Sequence, residues 1–417
     1  MNFSSVNRFL STLNVVLLFA GYELFSGIVS VILGNLDSPL VMNIGYRGVS
    51  VVVCLLVIFQ NLGIHYNKYN QRCITLLYIF WSLLILRFVY DMYFRPDVSV
   101  LPAICTKTWS YMVVLTIIPM ISVSLSIKQI DFKQAFKWIT ILFSVAVLIA
   151  FFRNYYYDTD DIEELSRISL AGLSSIGSGQ LALTAIILSS CYLLNEWKKQ
   201  HSVLTLLLFA IIAIVGTIVM LRTGSRGPLL ALVGVGGMLA IAKTNRPMIW
   251  IIFLIVFVLF FNQIVDLLLH GINVIAPNLY SRFMSKAESG GQFENRMFYY
   301  NSAIDAFRDN PIIGKQFAIY LPEREMIYSH NILLDSIMQL GIIGGSLMLV
   351  IIIETLRLSY RLIRSSSCVT WICLLFVQQL FYLMLSSSFY LTPLFSIIIV
   401  LLFKWDSIGK DTQSLYS

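Results

Sequence analysis

Charge is scarce in this sequence. Asp, Glu, Lys and Arg together make up 12% of its 417 residues, whereas apolar residues make up 58%. A soluble domain carries about twice that share of charged residues. Apolar runs of about twenty residues recur along nearly the whole chain, as helices that cross a bilayer require. The runs are too long, and alternate too little in polarity, for the strands of a membrane β-barrel.

The motifs of several common site types are also missing. The sequence has no P-loop, no GxGxxG stretch and no cluster of metal ligands. Its six cysteines show neither zinc-ligand spacing nor a disulfide framework. We therefore expect no cofactor, no metal and no nucleic-acid partner.

The apolar runs predict an all-α, polytopic integral membrane protein that forms a single domain over residues 1–417. About twelve transmembrane helices are expected, over residues 13–34, 39–60, 73–92, 108–127, 136–153, 176–195, 203–221, 227–243, 247–269, 331–353, 368–387 and 389–403. The first run follows one positive residue, as in a signal peptide, but no clear small-residue cleavage site follows it. We expect it to remain as the first helix.

The distribution of charge predicts the orientation. With the amino terminus inside, fifteen of the 29 Lys and Arg residues but only five of the 22 Asp and Glu residues fall in cytoplasmic segments. The positive-inside rule requires this bias when an even number of spans leaves both termini in the cytoplasm. The inverted topology would place the excess of cations outside.

One external connection is far longer than the others. Residues 270–329 separate the ninth and tenth predicted spans, and a loop of this length is more often functional than idle. Within it, "NRMFYYNSAIDAFRDNPIIG" predicts an amphipathic helix on the outer membrane surface that ends at Asn310-Pro311. Its apolar face would be formed by residues spaced three and four apart: Met297, Tyr300, Ile304 and Phe307.

Two arginines stand at the external end of a predicted span in "LRTGSRGPLLALVG". Arg222 ends one apolar run and Arg226 begins the next. Pro228 suits the first turn of a helix, and either Ser225 or Gly227 suits its cap. Backbone N–H groups, the helix dipole and two guanidinium groups would then form an anion site. Arginine favours phosphate because it forms bidentate hydrogen bonds. The alternative is that both arginines extend to lipid headgroups.

His330 and Arg296 are further candidate residues on the external side. His330, where the tenth predicted span begins, could act as a base, a hydrogen-bond donor or a phosphate contact, or could only cap the helix. Arg296 opens the amphipathic helix and is a stronger candidate than Arg282 or Arg308.

Two other charged residues have alternative interpretations. The external segment 153–179 is first acidic and then carries Arg167 with glycines and serines. It either forms a solvated loop or folds back over a site, where Arg167 would contribute a charge. Glu23 falls inside the first predicted span, where an unpaired carboxylate is costly, so a structural pairing with Arg47 or Arg87 is expected.

Three stretches resemble the bacterial O-antigen ligase and polymerase family in order, spacing and predicted side of the membrane. They are Ser225-Arg226-Gly227, Arg296 with Pro311-Ile312-Ile313-Gly314, and His330-Asn331 followed by Gly341 to Gly344. A fourth, "RISLAGLSSIGSGQLAL", is similar to a further family element, with Gln180 near a position where relatives often carry asparagine. After Gly314 this chain has Lys315-Gln316, where many relatives continue with Gly-x-Gly. The resemblance covers about residues 167–345.

The resemblance implies a GT-C-like glycosyltransferase of the bacterial inner membrane with a periplasmic or external active site. It would move a glycan from an undecaprenyl pyrophosphate carrier to an acceptor hydroxyl, without metal or cofactor. Arginines that neutralise the pyrophosphate would stabilise the charge of the leaving group, and a histidine would orient or deprotonate the acceptor. The expected site residues are catalytic His330, Arg226 and Arg296, and substrate-binding Arg222, Arg167 and Ser225.

Other function classes remain open beside the transferase. A secondary transporter would show repeated halves and broken helices within the membrane, whereas the two halves here do not match and the cations gather at the external interface. Gly341, Gly344 and Gly345 are expected to allow close helix packing and not to take part in the chemistry. A flippase for lipid-linked oligosaccharides would line its interior with charges, which these spans lack. The expected partners of a transferase are lipid-linked glycans, membrane lipid, a chain-length regulator and a flippase.

The motifs leave two reactions possible. A polymerase joins lipid-linked repeat units into O-antigen or capsule, whereas a ligase transfers the finished glycan to lipid A-core. A ligase must accept an anionic core, yet the side predicted external carries fourteen cations against seventeen acids. This balance, and aromatic-rich runs at 155–164 and 297–300 that can stack on sugars, favour the polymerase.

Overall fold

The computed structural model describes residues 3–21, 24–25, 39–62, 72–95, 98–156, 175–196, 203–223, 225–244 and 291–414, with isolated positions between 248 and 263. Several sequence predictions lie outside these residues: Glu23, Arg167, Arg282, most of the ninth predicted span and residues 270–290 of the external segment.

Helices dominate the described residues. They are α1 (Phe3–Val16), α2 (Pro39–Asn61), α3 (Arg72–Tyr93), α4 (Pro102–Trp109), α5 (Ile118–Ser126), α6 (Phe132–Tyr156), α7 (Ser175–Glu196), α8 (Val203–Arg222), α9 (Arg226–Lys243), α10 (Gly291–Asp309), α11 (Ile332–Arg364), α12 (Thr370–Leu385) and α13 (Pro393–Ser414). Leu17–Gly21 and Ser110–Ile117 are π-helical, and Ile127–Gln129 and Phe389–Leu391 are 3-10 turns.

A small hairpin adds to the all-α prediction. The strands β1 (Ile319–Tyr320) and β2 (Met326–Ile327) pair antiparallel, with Ile319 opposite Ile327. The hairpin lies in the predicted external segment, where its short length leaves the fold class unchanged.

Seven helical segments of the described chain are long and apolar enough to cross a membrane. They cover Arg72–Tyr93, Pro102–Gln129, Phe132–Phe152, Ile176–Leu194, Val203–Arg222, Arg226–Lys243 and Ile332–Arg364. Each coincides with a span predicted from the sequence. Shorter apolar helices over Gly45–Asn61 and Thr370–Leu385 fall in the second and eleventh predicted spans. The all-α polytopic class is confirmed, and the total of twelve spans stays a prediction.

The outer face of α8 shows what surrounds these helices. Leu204, Leu207, Ile211, Ile214 and Ile218 follow each other at helical spacing and are between 36% and 76% exposed. A continuous apolar stripe of this kind is rare on a soluble protein and suits contact with lipid.

The helix α11 is interrupted near its start. Gly341 adopts φ 62 and ψ −152, and the turn after α10 fills the gap this creates. The N–H of Ile342 donates to the carbonyl of Pro311 at 2.8 Å, and the N–H of Lys315 donates to the carbonyl of Met338 at 3.0 Å. Backbone groups released by the break are therefore satisfied by the turn, as buried polar groups require.

Glycine is required on both sides of this joint. Gly314 also has positive φ (73), and a Cβ there would lie 2.6 Å from the Leu340 nitrogen. A Cβ on Gly341 would overlap the Ile312 carbonyl. The glycines thus serve close packing, as expected, but Gly341 also breaks the helix, which the sequence analysis did not anticipate.

The helix α10 is confirmed, but its packing differs from the prediction. Ala303 and Ala306 are buried against Met338 of α11, whereas Met297, on the predicted apolar face, is 42% exposed. Small alanine side chains let α10 approach α11 closely. Ala303 and Ala306 therefore form the contact between the two helices, and the larger Met297 does not. Arg296 lies in the second turn, because the helix begins at Gly291 and not at Arg296.

Candidate active site

Several segments meet at the start of α9. Ser225 occupies the extended N-cap position (φ −95, ψ 124), as predicted, but its side chain makes no capping hydrogen bond. Its N–H donates instead to Thr223 Oγ1 at 3.4 Å. The first N–H groups of a helix lack partners within the helix, so the start of α9 offers an anion these donors and the positive end of the dipole. Arg226 is half-buried there.

The start of α9 faces residues 386–392, the segment between α12 and α13. A Cβ on Gly227 would lie 3.4 Å from Ser386 Oγ and 4.0 Å from Ser225 Oγ, so both hydroxyls flank the helix start. On the other side, a Cβ on Gly179 of α7 would lie 2.7 Å from Cγ of Pro228. These close approaches hold the first turn of α9 between α7 and the 386–392 segment.

His330 lies beside the Ser386 backbone and has a left-handed conformation (φ 59). Such a conformation costs a non-glycine residue of order 1–3 kcal/mol and persists only where its neighbours are held firmly. Asn331 provides one anchor by capping α11. Its Oδ1 accepts hydrogen bonds from the N–H groups of Leu333 (3.0 Å) and Leu334 (3.2 Å).

A buried carboxylate holds the other side of His330. Asp335 Oδ1 accepts hydrogen bonds from the N–H (2.8 Å) and the hydroxyl (2.7 Å) of Ser329. Its Oδ2 accepts one from the Ser388 hydroxyl at 2.9 Å. Asp335 is 1% exposed, and a carboxylate so buried depends on such donors. It therefore ties the His330 segment to the 386–392 segment.

The imidazole of His330 is enclosed by aromatic rings. Its centroid lies 4.4 Å from that of Tyr328 and 5.7 Å from that of Tyr299 in α10. Burial lowers the pKa of His330 below its usual 6.5; the Ser386 backbone opposes this shift, and the charge of Arg296 adds to it. The ring is therefore neutral at pH 7, and its buried Nδ1 has no hydrogen-bond partner among the described residues. A neutral imidazole can accept a proton.

Ser386 thus lies at the start of α9, where Ser225 and Arg226 stand in the chain, and its backbone lies beside His330. Arg296 is linked to this group by its charge on His330, and the two α9 residues by the Gly227 contact. Burial also raises the pKa of Tyr328 to about 12, so its phenol keeps its proton. The group combines cations, a proton acceptor and hydroxyl donors.

The remaining predicted residues are placed differently. Arg222 is exposed, and its guanidinium lies over the Phe151 ring at 5.7 Å, which resembles the alternative of an arginine at the lipid boundary. Arg308 pairs with Asp305 at 3.1 Å on the exposed side of α10. Arg167 lies outside the described residues.

The stretch of chain that carries Arg226, Arg296 and His330 resembles a known protein family. Residues 209–349 match the family model described as O-antigen ligase. This stretch of the chain is similar to that family. It extends from α8 into α11 and includes Arg226, Arg296 and His330, so the resemblance noted in the sequence is confirmed. No curated protein and no solved structure matches the chain.

The O-antigen ligase family is a glycosyltransferase-like class of enzymes, and it implies lipid-linked glycans as substrates. The apolar helices and the family match together indicate a membrane protein. The match favours a transferase over the transporter and the flippase.

The structure adds residues that the sequence analysis did not select. Asp335 lies within the matched residues. It could have been identified from the sequence, because a carboxylate inside a predicted transmembrane span is unusual. Ser386 and Ser388 lie beyond the matched range, in "SSSFYLTP". A run of hydroxyl side chains between two apolar helices is the feature that could have identified them.

Proposed function

We propose that this protein is a polysaccharide polymerase, which joins undecaprenyl-pyrophosphate-linked oligosaccharide units at the external face of the bacterial inner membrane. The observation that carries the proposal is the position of Ser386, which lies at the start of α9 next to Arg226 in the chain and beside a neutral His330 that senses the charge of Arg296. These residues match what transfer from a pyrophosphate carrier needs, namely cations for the leaving group and a base for the acceptor.

Arg226, Arg296 and the start of α9 bind the pyrophosphate of the donor. As the bond between the sugar anomeric carbon and the phosphate oxygen breaks, negative charge grows on that oxygen. Two guanidinium groups and a helix N-terminus stabilise this charge more strongly in a half-buried site than in water. Ser225 and Ser386 flank the helix start, where their hydroxyls can donate to phosphate oxygens.

His330 acts on the acceptor. The neutral imidazole takes the proton of the acceptor hydroxyl while the acceptor oxygen bonds to the anomeric carbon. Undecaprenyl pyrophosphate leaves, and the imidazolium returns its proton to solvent. Tyr328 and Tyr299 pack beside the imidazole and keep water from competing with the acceptor.

A ligase that transfers the glycan to lipid A-core is the second candidate. The description of the matching family, O-antigen ligase, favours it. The polymerase is preferred because the predicted external side has no surplus of cations for a phosphorylated core, and because the aromatic-rich runs at 155–164 and 297–300 can bind a second glycan.

Deletion of the gene separates the two reactions. Loss of a polymerase leaves single repeat units attached to the surface anchor, whereas loss of a ligase leaves long chains on undecaprenyl pyrophosphate. Purified protein should also elongate a synthetic undecaprenyl-pyrophosphate glycan without nucleotide. Long stranded chains in the deletion strain would contradict the polymerase.

A further inference from the structure

A second group of cations lies in a pocket at the C-terminal end of α3, apart from the Arg226 and His330 group. The pocket has a volume of about 350 Å³. Arg87, Arg95, Lys315 and Asn310 supply polar walls, and Leu83 and Leu340 supply apolar ones. None of these residues belongs to the site described above.

The buried carboxylate of Asp91 fixes the two arginines. Asp91 Oδ1 lies 3.3 Å from Arg87 Nε and 3.8 Å from an Arg95 terminal nitrogen. Its Oδ2 accepts hydrogen bonds from the Phe317 N–H (2.6 Å) and the Tyr320 hydroxyl (2.8 Å). Asp91 thus supplies one negative charge beside two positively charged guanidinium groups, and both of its oxygens are already engaged. Arg87 meets it through Nε, and the Arg87 guanidinium carbon lies 5.7 Å from the centroid of the Tyr90 ring, which also lines the pocket.

Lys315 adds a third cation to the pocket. Its ammonium pairs with Asp309 at 2.6 Å, and both side chains are about half exposed. Water screens such a pair, so the ammonium can turn to a stronger anion at little cost. The Lys315 carbonyl accepts a hydrogen bond from Arg95 at 3.2 Å, which keeps the lysine next to the arginines.

Exposed apolar and aromatic side chains surround the pocket. Tyr90 and Phe94 stack with centroids 6.4 Å apart and are 52% and 70% exposed, and Ile312 and Ile313 are similarly exposed. Aromatic residues at the end of a membrane helix mark the level of the lipid headgroups. Cations at that level, beside apolar walls, meet phosphate on one side and acyl or prenyl chains on the other.

We propose that this pocket binds the phosphate group of a membrane lipid. Arg87 and Arg95 hold the phosphate oxygens through guanidinium hydrogen bonds, Lys315 and Asn310 complete the polar wall, and the lipid chain lies along Leu83 and Leu340. The phosphate belongs either to a bulk phospholipid or to a polyprenyl pyrophosphate, since both present the same chemistry at this depth.

The test measures lipid binding by native mass spectrometry of the purified full chain. Arg226→Ala with Arg296→Ala serves as the background, so that polyprenyl pyrophosphate does not bind the catalytic group. The probes are phosphatidylglycerol, undecaprenyl pyrophosphate and diacylglycerol, which lacks phosphate. We expect one or both phosphate lipids, but not diacylglycerol, to bind, and Arg87→Gln to weaken that binding by about tenfold or more.

Lys315→Gln is a second test variant, in case Arg87→Gln fails to fold. Because Lys315 is exposed, its replacement should leave folding intact. Arg308→Gln is its matched control, since Arg308 is an exposed cation with a carboxylate partner on α10 and lies outside the pocket. Lys315→Gln should weaken phosphate-lipid binding several-fold, and Arg308→Gln should not. Preference for one of the two phosphate lipids identifies the source. Equal binding by Lys315→Gln and Arg308→Gln, or by diacylglycerol, overturns the proposal whatever the transfer activity.

Discussion

The Ser388 hydroxyl donates a hydrogen bond of 2.9 Å to Asp335, which lies 53 positions earlier in the chain. The bond joins the first turn of α11 to the segment after α12. His330 and Ser386 lie on its two sides, so the base and the hydroxyl group opposite α9 have a shared support. In the proposed mechanism Asp335 and Ser388 therefore act as positioning residues, without contact to substrate.

Replacement of Arg226 by alanine should abolish glycan transfer. Lysine should restore little of the activity, because a single ammonium cannot form the paired hydrogen bonds of a guanidinium with phosphate. Arg296→Ala should behave like Arg226→Ala, while Arg308→Ala, which loses an exposed pair with Asp305, should keep wild-type turnover. Transfer in membranes at matched expression provides the measurement. Normal turnover in Arg226→Ala would remove the main residue of the proposed donor site.

Replacement of His330 by alanine should separate transfer from donor binding. Turnover should be lost because the proton acceptor is gone, whereas affinity for the lipid-linked donor should remain because both arginines remain. Donor affinity can be measured by titration of the purified variant. A parallel fall in affinity would instead make His330 a phosphate contact, and full transfer would leave it as a helix-start residue.

The pKa of His330 predicts the acid side of the pH profile. Its folded pKa is lowered below 6.5, so the neutral form persists to mildly acidic pH. The acid limb of kcat/KM, which reports the free enzyme, should therefore fall below pH 6.5. Protonation also disfavours the folded state, so this contribution to stability is full above the unfolded pKa and is lost as the pH falls below it. An acid limb above 6.5 in kcat/KM would contradict the assignment.

Removal of the Ser388 hydroxyl should slow turnover without changing donor binding. A lost hydrogen bond to a buried carboxylate costs about 1.5–3 kcal/mol, so kcat should fall about tenfold or more if the His330 segment shifts. Ser387→Ala is the control, because Ser387 is also buried but bonds to Thr392 at 2.9 Å and not to Asp335. Equal effects on kcat in the two variants would indicate general destabilisation.

The joint in α11 predicts a strong contrast between two glycines. Gly341→Ala should destabilise the protein by about 2 kcal/mol or more, because alanine meets both positive φ and the Ile312 carbonyl. Gly236→Ala in α9 has no atom within 4 Å of the added Cβ and should be neutral or stabilising by up to about 1 kcal/mol. Thermal unfolding in detergent measures both. Equal melting temperatures would contradict the role of the joint.

Much of the fold could be predicted because membrane helices are recognisable in a sequence as long apolar segments. The spans over 72–93 and 203–222, the helix start at Arg226 and the helix around Arg296 all follow from local sequence. The break at Gly341 could not, because it depends on the carbonyls of Pro311 and Ile312 arriving from another segment. The same applies to the alanine face of α10, since apolar periodicity weights large residues and overlooks small ones.

The candidate site was predictable only where a residue carried its own chemical signal. Arg226, Arg296 and His330 did, since charge and imidazole are rare in this chain. Asp335 and Ser388 act through a contact across 53 positions, which no local pattern encodes. Arg222 had the same local signal as Arg226, yet its guanidinium lies over the Phe151 ring.

The joint between the turn after α10 and the break in α11 also bears on how substrate enters. Arg296 is on α10 and His330 directly precedes α11, and backbone hydrogen bonds fasten these two helices together at Pro311 and Lys315. We therefore expect the arginine and the histidine to move as one rigid body. A bulky glycan carrier would then be admitted by separation along the α9 side, where Gly227 faces Ser386. In this arrangement Arg296 and His330 would stay fixed relative to each other, and α9 with Arg226 would move relative to them.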